Sequence, residues 1–200
     1  MTAIITRSLL YLLWAVAAAQ IALLEARQVT WHNRFTELGY VETLQAMLLA
    51  ASAILLFWMT RARRQQVQLA FCGALVFSIL FIRENDQVLE LFLPHGAWKW
   101  PALLLAVVLT WQCLRHRDAI MVQVHSLSST PAWGVYLAAG STLVFSRLFG
   151  RKMFWEVVMD ERYFRLVKNV AEEGTELFAL GLFFAGTVEW VLSTGRADDR

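Results

Sequence analysis

Charge is scarce in this chain. Of 200 residues, 17% are Asp, Glu, Lys or Arg, against 58% that are hydrophobic. A soluble domain carries about 25% charged residues and needs less apolar material to fill one core, so the surplus implies lipid-facing surface and an integral membrane protein. The small net charge of +2 comes from mixed signs, and nothing supports nucleic-acid binding. Cysteine is limited to Cys72 and Cys113, both in apolar stretches and without CxxC or metal-ligand spacing. Neither a disulfide nor a zinc framework is expected, and both read as small core residues. No internal repeat, low-complexity tract or linker divides the chain, which reads as one integral membrane domain over residues 1–200.

What is present is a succession of low-charge windows. A hydrocarbon core about 30 Å thick takes roughly 20 helical residues, and windows at 4–24, 42–60, 66–82, 98–114, 131–149 and 171–194 approach that length. In lipid a helix satisfies its own backbone groups, so the sequence predicts an all-α, polytopic bundle of about six transmembrane helices. In the first window Arg7 is followed by an apolar run from Ser8, which superficially resembles a signal peptide with Ala17-Ala18-Ala19 imitating a cleavage site. Its apolar run continues to Leu24, so a retained helix is expected. Pro131, after Ser126, Ser128, Ser129 and Thr130, marks a turn and a helix start.

Orientation follows from the short basic loops, which are retained in the cytoplasm. Arg61, Arg63 and Arg64 follow the second window, and Arg115-His116-Arg117 follows the fourth. This places a bacterial-type inner-membrane protein with both termini inside. The outer segments are then 25–41, 83–97 and 150–170. The last of these carries Arg151, Lys152, Arg162, Arg165 and Lys168 against that rule, interleaved with Glu156, Asp160 and Glu161. It reads as a charge-paired amphipathic outer segment near 151–168, with Phe154, Trp155, Val158 and Phe164 turned to the membrane. The nine tryptophans fall mostly near window ends, where amphipathic rings favour the interface.

In this topology twelve of the sixteen acids, all but Asp118, Glu189, Asp198 and Asp199, lie on the outer side. Ionisable groups in a spanning segment cost an estimated 2.5–3.5 kcal/mol each, so they require partners or a watery cavity. Thr36 reads as an N-cap for a helix carrying Glu37 just outside and Glu42 and Gln45 three apart on one face. Glu172 and Glu176, four apart, share a face, with Glu173 about 100° away. Arg83-Glu84-Asn85-Asp86 is the densest polar motif at a helix end, and Arg147 and Lys168 are further available cations. The expected polar network or ligand site is therefore Glu42, Arg83, Glu84, Asp86, Arg147, Glu172, Glu173 and Glu176.

Several chemistries fit such a set. One is an interhelical ion-pair network, in which acids at the starts of the second and sixth spans meet helix dipoles. Another is a divalent metal held by Glu42, Glu84, Asp86, His95 and Glu172, activating water against a lipid or ester. The chain has neither HExxH nor paired ExxH motifs to strengthen that reading. A third is recognition of a cation or lipid-like polar ligand, or service as a subunit of a membrane assembly or homo-oligomer, with ion- or proton-coupled transport as a variant. Glu189, about 20 Å along a helix from Glu176, reads as an interface group. His32, His116 and His125 do not make haem-ligating pairs. Ser52, Ser141 and Ser146, and Gly134, Gly140, Gly181 and Gly186, read as helix-packing positions. The whole resembles small bacterial membrane proteins with acidic and arginine motifs at span ends, and lacks the spaced Ser, His and Asp motifs of a membrane ceramidase-like hydrolase. The expectation is an outward-facing carboxylate and arginine site for a cation or lipid-like polar ligand.

Overall fold

Each of the six low-charge windows forms an α-helix, and among the described residues three further helices lie between them. The computed structural model describes residues 2–28, 39–62, 66–92, 94–160 and 165–198. Among these the chain is helical without a strand, in the order α1 (Thr2–Gln28), α2 (Tyr40–Ala62), α3 (Val67–Glu84), α4 (Asp86–Glu90), α5 (Lys99–Arg115), α6 (Arg117–Ser128), α7 (Pro131–Phe149), α8 (Lys152–Met159) and α9 (Arg165–Asp198). Trp31, His32, Thr36, Glu37, Arg63, Arg64, Glu161, Arg162, Phe164, Asp199 and Arg200 lie outside the described residues.

Among the described residues four helices are long and apolar enough to cross a membrane: Ile5–Arg27 in α1, Tyr40–Ala62, Val67–Glu84, and Arg165–Gly195 in α9. Helices α5 and α7, at 17 and 19 residues, are not among these four. Large apolar side chains such as Leu9, Leu12, Leu13 and Val16 on α1 are exposed, an arrangement that lipid favours and water opposes.

Three differences from the sequence expectation concern helix limits. The segment before Pro131 is a 12-residue helix, α6, and not only a turn. Its Gln123 accepts the Leu69 backbone N–H at 2.7 Å, and its Ser126 accepts from Gln66 at 3.1 Å. The first of these bonds occupies a backbone donor at the start of α3 that has no partner within its own helix. Second, α9 begins at Arg165 and not near 171, because Arg165 and Lys168 are good helix formers. Third, the amphipathic segment expected near 151–168 is not one continuous helix, because α8 ends at Met159, where Asp160 takes φ 48°. Met153, Phe154, Val157 and Val158 are exposed on α8 while Lys152 and Glu156 pair at 2.8 Å.

The chain divides into two compact units. The first comprises Met1–Gln45 and Leu137–Leu182. Here α1 packs on α9 through small residues: Gly174 meets Ala22, and Gly181 lies so close to Trp14 that a Cβ would overlap the indole. The same indole donates to the Phe178 carbonyl at 3.1 Å. Small residues at a helix contact let backbones approach closely. Aromatic packing of Phe149 with Phe154 and Trp155, and a 2.8 Å bond from Trp155 Nε1 to the Phe149 carbonyl, fix the turn between α7 and α8.

The second unit comprises Ala46–Tyr136 and Phe183–Arg200. Leu56, Met59, Ala70, Ala74, Leu75 and Trp190 are buried in it. Phe77 and Tyr136 pack against Phe183, and Tyr136 shares a 2.9 Å hydrogen bond with Thr187. Of the glycines expected at packing positions, Gly186 contacts Tyr136 whereas Gly134 faces open space. Ser52 is buried and bonds back to Leu48, while Ser141 is exposed.

Candidate functional site

In the first unit, the end of α7 delivers Ser146 and Arg147 to the third and fourth turns of α9. Ser146 is fully buried and donates to the Glu172 carbonyl at 3.0 Å. Arg147, the next residue, reaches two carboxylates: Glu176 Oε2 at 2.9 Å and Glu172 Oε1 at 3.4 Å. The other Glu172 oxygen receives Lys168 Nζ at 2.5 Å, one helical turn earlier on α9. Spacings of four residues along α9 stack Lys168, Glu172 and Glu176 on one face. Gly150 leaves room for this approach, since a Cβ there would overlap the Glu172 carboxylate.

The burial is graded. The Glu176 side chain is 4% exposed, Glu172 15% and Lys168 18%, whereas Arg147 is 42% exposed. A carboxylate as buried as Glu176 requires a charged partner. The guanidinium meets that need while presenting part of its donor set to the surroundings. The 2.9 Å contact is a good charge-assisted bond, and the 3.4 Å contact lies beyond the usual range.

Helix α2 adds a second group of contacts to this unit. Gln45, fully buried, donates from Nε2 to the Glu173 carbonyl at 3.1 Å and to its carboxylate at 3.4 Å. Glu42 stands half-buried in the first turn of α2, where the helix N-terminus favours negative charge. The start of α2 is also capped by Glu25, whose Oε2 accepts the Val41 N–H at 2.7 Å. Gly39 allows it, because a Cβ there would collide with the Glu25 carboxylate. Sequence reasoning missed Glu25; its one signal was an acid in the last two turns of an otherwise apolar run.

Of the expected site residues, the structure therefore brings together Arg147, Glu172 and Glu176, joined by Lys168, and ties Glu173 to α2 through Gln45. The dipole argument holds for Glu42 and fails for Glu172 and Glu176. Helix α9 starts at Arg165, and the dipole effect fades within the first turn.

The remaining residues belong to the second unit. Arg83 is exposed in the last turn of α3 and Glu84 is the helix's final residue. Asn85 caps that helix, with its backbone N–H and its Nδ2 both donating to the Phe81 carbonyl, at 3.1 and 2.8 Å. Asp86 opens the five-residue α4. His95, expected among metal ligands, is exposed and pairs through Nδ1 with Glu90 Oε2 at 2.7 Å. The other Glu90 oxygen accepts the Gly96 N–H at 2.8 Å, where the backbone takes φ 81°. Glu90 was not singled out from sequence, although it lies five residues from His95. The Gly96 N–H and then His95 hold its carboxyl below the ordinary carboxylate range. Among the described residues no three or more of His, Cys, Asp and Glu are grouped so as to hold a metal ion.

No protein-family model, curated protein or solved structure matches this chain.

Proposed function

We propose that this chain is a six-span inner-membrane protein, with both termini cytoplasmic, that binds a lipid-like polar ligand through the Arg147 network at the outer face. One observation carries the reading: Arg147 is anchored by the buried Glu176 and only loosely engaged by Glu172. A partly exposed guanidinium fixed on one edge offers its other edge to a phosphate, for which its planar fork of donors is suited. Glu172, released from Arg147, retains Lys168 and is available to a head-group ammonium. Such a ligand needs acceptors and donors spread over a surface, whereas a metal ion needs several donors converging at about 2.0–2.6 Å.

The six-span topology is supported by the character of α5 and α7. At 1.5 Å per residue they extend about 25 and 29 Å, close to the hydrocarbon thickness. Leu103, Leu104, Val107 and Leu114 on α5, and Leu137, Val144, Phe145 and Leu148 on α7, are exposed apolar residues of the kind that face lipid. The end of α7 then lies at a membrane face, where head groups are found.

The test is native mass spectrometry of protein released from nanodiscs containing phosphatidylethanolamine, with thermal unfolding of the same samples. Arg147→Gln is expected to reduce retained phospholipid about tenfold, the loss of roughly one charge-assisted bond, and Arg147→Lys to retain part of it. Unchanged lipid retention with a lowered Tm would instead make the network a clasp between α7 and α9 and sink the binding proposal.

A further inference from the structure

The chain has two cysteines, 41 positions apart, and they meet in the second unit. Cys72 lies in the second turn of α3 and Cys113 in the last turn of α5, with their Sγ atoms 3.8 Å apart. The expectation that both are core residues holds for Cys72, which is 7% exposed, and not for Cys113, which is exposed. Sequence spacing did not reveal the pair because only the packing of α3 against α5 brings it together.

The surroundings keep these helices in register. Gln68 and Gln112, each beside or one turn from a cysteine, are hydrogen-bonded across the same contact. The start of α3 is tied to Gln123 and Ser126 of α6. Polar bonds between apolar helices oppose sliding, so the two thiols stay opposed. A disulfide bond is about 2.05 Å long, and the remaining gap is within reach of rotations about the cysteine side-chain torsions.

We infer that Cys72 and Cys113 form a reversible thiol–disulfide site that closes by exchange with a low-molecular-weight disulfide. The Cys113 thiolate, after giving up its proton to solvent, attacks one sulfur of that disulfide. An S–S bond forms to Cys113, and one small thiolate leaves and takes up a proton. Cys72, deprotonated in turn, attacks Cys113 Sγ. The interhelical bond forms and the second small thiol is released. The protein loses two protons and two electrons, and the small disulfide gains both as two thiols. Unequal exposure sets this order, since exchange requires access to the attacking thiol. Cys113 is two residues from the end of α5, about 3 Å of helical rise, and so lies close to the interface. On a cytoplasmic face the glutathione pool keeps such a pair reduced at rest, and closure reports oxidation. The closed form straps α3 to α5.

The experiment uses the full chain in nanodiscs, incubated with glutathione disulfide, then unfolded in N-ethylmaleimide and weighed. Wild-type protein is expected to take up no maleimide, carry no glutathione and remain monomeric on a non-reducing gel, and dithiothreitol restores two alkylatable thiols. Cys72→Ser stops at a glutathione adduct on Cys113, which forms at least about tenfold faster than any adduct on Cys72 in Cys113→Ser. Wild-type protein that keeps two alkylatable thiols, holds a stable adduct, or links only between chains overturns the inference. That measurement stands even where a serine variant does not fold.

Discussion

At the scale of single residues, several polar side chains in this protein satisfy backbone groups at helix ends. Glu25 caps α2, Gln123 caps α3, and Asn85 closes α3. Glu90 does the same for the turn at Gly96. Its carboxyl is held below the ordinary range, so the folded turn favours the charged form. The associated stabilisation is therefore present above the unfolded carboxylate value and is lost as pH falls through the folded one. Protection of the Gly96 amide against hydrogen exchange should hold at neutral pH and disappear in acid. Glu90→Gln should show low protection and no such pH step, and a step that persists in this variant would assign it to another group.

At the scale of helices, close approach is set by small residues and by length. The contact of α1 with α9 depends on Gly181, where the Trp14 indole occupies the space of a Cβ. Gly181→Ala should lower stability by about 1–3 kcal/mol, the usual cost of overpacking a core. The measurement is a Tm in detergent, with Gly134→Ala as a control because that position faces open space. Helix α9 has 34 residues, or about 51 Å of rise. It therefore exceeds a hydrocarbon core of about 30 Å. That surplus lets Lys168 and Glu172 share a helix with a stretch apolar enough to span, and it explains why charge content alone set the start of α9 too late.

At the scale of the whole molecule, the topology makes a prediction that composition alone does not. If α5 crosses the membrane, the turn before it and the break after it lie on opposite sides. In a background lacking Cys72 and Cys113, His95→Cys should react with a membrane-impermeant maleimide on intact spheroplasts. His116→Cys should react only once the membrane is opened. Equal labelling of both would remove α5 from the set of spans and with it the six-span topology.

The sequence by itself determined that the chain is helical and where its six principal helices lie, because long low-charge stretches in lipid leave the backbone one way to satisfy itself. It also showed that Glu172 and Glu176 share a face and that Arg147 and Lys168 were available, since helical spacing is a local property. Tertiary structure alone decided that Arg147 meets Glu172 and Glu176, that Glu25 caps α2, and that the two cysteines touch. Such pairings join residues distant in sequence, and helix packing fixes them through the shapes of small residues and the matching of buried polar groups, neither of which has a period along the chain.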